Sequence, residues 1–273
     1  ATWAVNGAST SAYGSITVNQ TTGQWEYHID NSSASVQALA AGQTQVDTFV
    51  VRAQDQYGAF VDRTVSVTLK GVNDGASVSS VDAARTEANS AADLSTSGQL
   101  VIADVDTGEA HVVAQTVAGT YGTIAVDANG AWTFTANGAH NELTAGQVVS
   151  QSLTVLSQDG TASGVITVNI TGTNDLATVS SATSAVSEAN DANALNASGK
   201  LTISDADTGE VSVKAQDVAG TYGTFHVATD GSWTYTGNGA HNELTAGQKV
   251  SDSITVTSFD GTGTGTITVN ITG

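Results

Sequence analysis

The chain has 273 residues, with 26 Asp and Glu against 7 Lys and Arg and a formal net charge of −19, an acidity that disfavours nucleic acid and anionic membranes as partners. Hydrophobic residues make up 40%, too many for a disordered acidic tail, and the length suits two or three domains that each bury a core. The absence of Cys excludes a disulfide framework, thiolate metal sites and a cysteine nucleophile, and no apolar run approaches the roughly 18 to 20 residues that span a bilayer.

In chain order, the first recognisable strings are Tyr13-Gly14-Ser15, Gly23-Gln24-Trp25 and Leu39-Ala40-Ala41-Gly42-Gln43. They return as Tyr121-Gly122-Thr123, Gly130-Ala131-Trp132 and Leu143-Thr144-Ala145-Gly146-Gln147. The later set recurs 101 residues on, with Tyr222, Trp233 and Leu244 in the same places. The chain is therefore an array of repeats: a truncated copy over residues 1–74 and full copies over 75–175 and 176–273. The first copy lacks the two opening strands and the acidic loop of the others. It also carries Asp55-Gln56-Tyr57-Gly58-Ala59-Phe60 where they have a short Asp-Gly turn. No signal peptide is visible and the chain opens in mid-pattern, so it reads as a fragment.

Within the second copy, period-2 patterning and turn signals predict strands at residues 77–85, 98–103, 110–116, 122–126, 131–136, 147–157 and 164–171. Seven short strands in about 100 residues is the arithmetic of a Greek-key β-sandwich. The predicted fold is all-β: tandem sandwiches in an extended array.

Alternating strand direction sets which loops share an end. In the second copy, the loop Asp104-Val105-Asp106 and the turn at Asp159 both face the preceding linker, Asn73-Asp74. In the third, Asp205, Asp207 and Asp260 face Asn174-Asp175. Bare carboxylates at about 5 Å repel by roughly 3 kcal/mol per pair at an effective dielectric near 20. Asp, Asn and backbone carbonyls without His or Cys form a hard oxygen set, which suits Ca²⁺ better than zinc or copper, and its loose geometry suits Ca²⁺ better than Mg²⁺. Glu87 and Glu188, late in the first strands of their copies, are further candidate ligands. Asp127 and Asp230 read as turn residues.

His140-Asn141-Glu142 and His241-Asn242-Glu243 have no counterpart in the first copy and read as structural. Trp25, Trp132 and Trp233 read as core. An exposed aromatic cluster would instead mark a glycan- or cell-binding module, the rival reading. No nucleophile elbow, phosphate loop or basic patch appears, so an enzyme is not expected.

The combination Gly119-Thr120-Tyr121-Gly122-Thr123, Gly130-Ala131-Trp132-Thr133-Phe134, Leu143-Thr144-Ala145-Gly146-Gln147 and Ile170-Thr171-Gly172-Thr173-Asn174-Asp175 resembles the VCBS repeat of large bacterial surface adhesins, including RTX-type biofilm adhesins. The resemblance spans nearly the whole chain. It implies cadherin-like or immunoglobulin-like modules, secretion to the bacterial surface, calcium between repeats, and a spacer role in adhesion and biofilm formation. The partners it implies are the neighbouring repeats, with a cell-surface or glycan ligand gripped by other regions of the intact protein and no insertion into the membrane. By similarity to cadherin-type junctions, the ligand roles fall on Asn73, Asp74, Asp104, Asp106 and Asp159, and on Asn174, Asp175, Asp205, Asp207 and Asp260. The linkers depart from the family pattern: Asp74-Gly75 and Asp175-Leu176 stand where proline often follows Asn-Asp-Ala.

Overall fold

The computed structural model of the chain describes residues 1–88 and 90–273. It is 50% strand and 4% helix, the helices being single turns at Ala34–Gln37, Ala91–Leu94 and Ala192–Leu195, and the strands build tandem β-sandwiches. The chain divides into two compact units, one of residues 1–83, 95–136 and 151–168, the other of residues 84–94, 137–150 and 169–273.

The second unit contains the whole third copy. One sheet orders Ala197–Lys200, Ser232–Gly237, Gly223–Val227 and Gln216–Ala219; another orders Ala182–Ser187, Thr264–Thr272 and Lys249–Thr257. Alternation along the two long strands turns Ile254, Val256, Ile267, Val269 and Ile271 inward, where they meet Phe225, Trp233 and Tyr235. Ala182–Ser187 runs parallel to Thr264–Thr272, pairing Ala182 with Ile267 and Ser187 with Thr272.

The same two strand orders recur in the second copy. Thr96–Gln99, Ala131–Ala136, Gly122–Val126 and Gln115–Ala118 form the four-stranded sheet; Val81–Thr86, Ser163–Thr171 and Val148–Leu156 form the three-stranded one. In the first unit Trp132 and Phe134 are buried, and Trp132 lies over Gly98, where any Cβ would stand 2.8 Å from the indole. The first copy has only Thr2–Val5, Thr44–Gln54 and Phe60–Lys70 in one sheet and the hairpin Gly14–Val18 with Trp25–Ile29 in another.

The two opening predicted strands each break in two. Residues 77–85 become Ser77–Val78, paired with Ile102–Ala103, and Val81–Thr86 in the other sheet. The step between them is fixed by partners distant in sequence. Ser79 N–H donates to the Val101 carbonyl, and Ser80 Oγ accepts from Val165 N–H. The Ser79 carbonyl sits where a Cβ on Gly164 would be 2.2 Å away, so only glycine admits the crossing. The predicted strand at 110–116 shrinks to a bridge at Val112 with Ser157, and ladder pairing starts at Gln115.

The copies differ at a coupled pair of core positions. In the third, buried Asp252 accepts from Thr221 N–H (2.9 Å), Tyr222 N–H (2.8 Å) and Tyr235 Oη (2.7 Å). In the second, the places of Asp252 and Tyr235 are held by Gln151 and Phe134, and Gln151 accepts from Tyr121 N–H while donating to the Gly122 carbonyl. The first copy uses the acidic version: Asp47 accepts from Tyr27 Oη at 2.9 Å, and burial with Asp47 beside it pushes the Tyr27 phenol up to about 12. Tyr235→Phe is expected to cost about 1–2 kcal/mol, because a buried carboxylate loses a donor. Adding Asp252→Gln should recover most of the loss by recreating the second copy's pair; urea unfolding of the single and double variants measures it.

Candidate metal centre

Each full copy brings a loop, a turn and a linker together. In the first unit Asp106 is 2% exposed and one of its oxygens accepts from the Asp74 N–H at 2.8 Å. Asp104 accepts from Asp106 N–H at 2.9 Å, curling the loop so that both side chains face inward. Gly108 follows at φ 86, which favours glycine, and Glu109 then turns back toward Asp104. Asn73 Nδ2 donates to Asp159 at 3.0 Å, tying the turn to the linker.

The second unit repeats this at Asn174, Asp175, Asp205, Asp207, Gly209, Glu210 and Asp260. Asp207 is 1% exposed and accepts from Asp175 N–H at 2.9 Å, Asp205 accepts from Asp207 N–H at 3.0 Å, and Asn174 Nδ2 donates to Asp260 at 3.0 Å. In each set three carboxylate oxygens, one per residue, lie within 4.8 Å of one another: Asp104, Glu109 and Asp159, then Asp205, Glu210 and Asp260.

The electrostatics separate these residues into two kinds. Asp159 is held well below the ordinary carboxylate range by donors from Ser157, Thr161 and Asn73. Burial raises Asp260, but Ser258, Thr262 and Asn174 outweigh it and hold that carboxyl low as well. Glu109 and Glu210 are pushed up, first by desolvation and then by the neighbouring aspartates. Asp175 is raised by desolvation, then by Asp207 and Asp205.

Glu87, 5% exposed, belongs to the second linker. It accepts from Thr173 N–H at 3.0 Å, and desolvation followed by Asp175, Asp207 and Glu142 pushes it up. Glu142 was absent from the sequence reading of the site; Thr208 N–H donates to its backbone carbonyl, whereas in the first unit Thr107 N–H finds the Ala38 carbonyl. Glu188 occupies the place equivalent to Glu87 in the third copy, with its N–H on the Thr272 carbonyl, and joins neither cluster. Glu109 and Glu210 were also missed, although the string Asp-x-Asp-Thr-Gly-Glu printed them; after a left-handed glycine the chain reverses and returns the glutamate to the first aspartate.

The residues fit a hard divalent cation. Among the described residues, Asp104 Oδ2 and Asp106 Oδ1 are buried without a hydrogen-bond partner, as are Asp175 Oδ2, Asp205 Oδ2, Asp207 Oδ1 and Glu210 Oε2. Buried anionic oxygens without donors are costly unless a cation neutralises them. The clusters contain oxygen donors and neither His nor Cys. They could hold a metal ion.

The histidines pin their own loops. His140 and His241 sit at φ 62 and 55; His241 Nδ1 is 2.7 Å from Glu243 and Nε2 is 2.6 Å from Asn238 Oδ1. Trp132 and Trp233 are each 3% exposed, so neither offers a sugar-stacking face; Trp25, expected in the core, is instead 45% exposed, because no strand lies over its side of the Trp25–Ile29 hairpin strand. Among the described residues no helix is long and apolar enough to cross a membrane.

Residues 174–273 match the bacterial cadherin-like domain family. Over 99% of its length the chain is similar to a protocadherin gammaB7 EC3-6 cis-dimer structure, at 12% identity and TM-score 0.43, and to Drosophila N-cadherin EC1-4, at 13% and 0.42. It spans 66% and 65% of those chains. Mouse clustered PcdhgC3 EC1-3 is similar at 13% identity and TM-score 0.42, with 99% of this chain and 88% of that one covered. No curated protein sequence matches the chain.

A carboxyl whose pKa is higher in the folded chain binds more protons there than when unfolded, so stability falls as pH rises through that interval. With chelator present, the raised groups Glu87, Glu109, Asp175 and Glu210 should make the fold lose stability as pH climbs above the ordinary carboxylate range. Glu87→Gln keeps an acceptor for Thr173 N–H and removes the charge. In chelator at pH 7 it should therefore raise stability, on the order of 1 kcal/mol or roughly 2–4 °C in Tm for a chain this size, as scanning calorimetry reads.

Proposed function

We propose that the chain is a calcium-stiffened spacer of a bacterial cell-surface adhesin. Its repeats are successive cadherin-like modules with boundaries near Asp74 and Asp175, and its role is to hold a ligand-binding region away from the cell. What carries this reading is the pairing of two features at each linker. A backbone N–H of the linker is bound to a buried aspartate of the next copy, and buried carboxylate oxygens beside it lack any donor.

The ligands assigned to the first site are Asp104, Asp106, Glu109 and Asp159 with Asp74. Those assigned to the second are Asp205, Asp207, Glu210 and Asp260 with Asp175 and Glu87. Asn73 and Asn174 hold Asp159 and Asp260 against the linker. A bound Ca²⁺ supplies positive charge that turns mutual repulsion into cohesion. The chain's own part is to fix the oxygens: the Asp104 and Asp205 loops are pre-curled by their internal bonds, and the linker is anchored through its amides. Extracellular modules with Kd of about 10⁻⁴ to 10⁻³ M are occupied at the calcium levels outside cells, and the ions leave in the low-calcium cytosol. Adhesion and biofilm support follow from the spacer role and from the resemblance of the repeats. Support for a bacterial, extracellular setting comes from the family matched by residues 174–273.

Calcium binding to the folded state alone should stabilise it by about 2.7 kcal/mol per site at a concentration a hundredfold above Kd. Thermal unfolding and small-angle scattering with 10 mM calcium and then with chelator test the reading. A higher Tm and a narrower distribution of dimensions in calcium are expected. Asp205→Asn with Glu210→Gln should remove the second linker's share and leave the first. Identical melting and scattering in calcium and chelator would overturn the proposal.

A further inference from the structure

An Asn-Gly or Asp-Gly step is a place where a chain can modify itself, because the glycine nitrogen meets no Cβ of its own on the way to the preceding side-chain carbonyl. The chain has eight such steps, and the fold sorts them. After Asn129, Asp159, Asp230 and Asp260 the nitrogen is occupied: Gly130, Gly160, Gly231 and Gly261 donate their N–H in turns to the carbonyls of Asp127, Ser157, Ala228 and Ser258, at 3.0, 3.1, 3.0 and 3.2 Å. Gly239 differs. Its N–H has no acceptor among the described residues, and a Cβ there would find only His241 Nε2, 3.8 Å away.

The side chain before Gly239 is held for attack. Asn238 lies just beyond the strand Ser232–Gly237 and is exposed to water. Its Nδ2 is 3.1 Å from the Thr221 carbonyl, which only accepts, so the amide nitrogen faces Thr221 and Oδ1 faces His241. His241 Nε2 stands 2.6 Å from that oxygen and carries the hydrogen between them. The ring is fixed in place: Nδ1 is 2.7 Å from Glu243, Tyr222 packs against it in a T with 5.2 Å between ring centroids, and the side chain is 14% exposed. His241 itself sits at φ 55, a left-handed conformation that a residue with a Cβ keeps only when its surroundings hold it. The string Asn-Gly-Ala-His recurs at 137–140, where His140 Nδ1 is 2.9 Å from Glu142.

We propose that Asn238–Gly239 is a self-modification site, at which His241 polarises the Asn238 amide for attack by the Gly239 nitrogen. The bond from Gly239 N to Asn238 Cγ forms, negative charge gathers on Oδ1, and the His241 donor stabilises it. The Cγ–Nδ2 bond then breaks, and Nδ2 departs as ammonia with the hydrogen that Gly239 loses. Water opens the resulting five-membered imide at either carbonyl and leaves aspartate or isoaspartate. The net change is amide plus water to acid plus ammonia, with no oxidant, metal or second enzyme. It puts a new carboxylate against His241. In the isoaspartate product it also lengthens the main chain by one methylene between the strand and the turn at Leu244. None of the proposed calcium ligands takes part.

The test keeps the full chain at neutral pH, folded and separately in urea, and follows each Asn-Gly peptide by mass spectrometry for conversion of amide to acid. Deamidation at Asn238 is expected to run faster folded than unfolded, and at Asn129, whose glycine is bound in its turn, slower. His241→Phe keeps a ring against Tyr222 and removes the donor. It should slow Asn238 by about tenfold or more, part of what one donor on a developing oxyanion supplies in an enzyme. If His241 only pinned the loop, the same variant would free the side chain and speed the reaction, so the sign of the change separates the two roles. Slower conversion of Asn238 folded than in urea, or a His241→Phe chain that deamidates there as fast or faster, would overturn the proposal.

Discussion

Carboxylate oxygens crowded at a linker without donors set the terms for the rest of this structure. A fold can hold such oxygens only if it prevents them from swinging into water, and here the backbone does so. The linker amides of Asp74 and Asp175 bind one oxygen each of Asp106 and Asp207, and the opposite oxygens are left buried and unpartnered. The raised pKa values of Glu109, Asp175 and Glu210 register the same strain. The sandwiches beneath serve to place the loop, the turn and the linker within reach of one another, from positions up to 86 residues apart in sequence.

Much of this was legible in the sequence. Period-2 runs gave the bounds Gly122–Val126 and Ala131–Ala136, because hairpins with glycine turns are local and their register is fixed by the turn. The opening strand was read as continuous and is not. Its break at Ser79 and Ser80 is set by side-chain bonds to Val101 and Val165, partners that lie 22 and 85 residues away. Among site residues, the aspartates declared themselves by recurring with the linkers. Glu109 and Glu210 were hidden behind a glycine whose left-handed conformation reverses the chain. The surroundings of Glu87 depend on the following copy, which no pattern within its own copy could reveal.

The three copies also show how far one framework tolerates exchange in its interior. An acidic pair, Asp252 with Tyr235, and an amide with phenylalanine, Gln151 with Phe134, meet the same requirement: the amides at the approach to a strand need an acceptor. The carboxylate then needs a phenol donor, while the amide finds a carbonyl for its own N–H groups. The choice couples two positions 17 residues apart and leaves the register of the neighbouring hairpin the same in both copies.

The parallel pairing of Ala182–Ser187 with Thr264–Thr272 bears on how the third copy meets mechanical load. Tension drawn through a module from its first strand to its last slides these two neighbours lengthwise against each other. Their hydrogen bonds then share the force and must rupture together, whereas strands peeled from one end break one bond at a time.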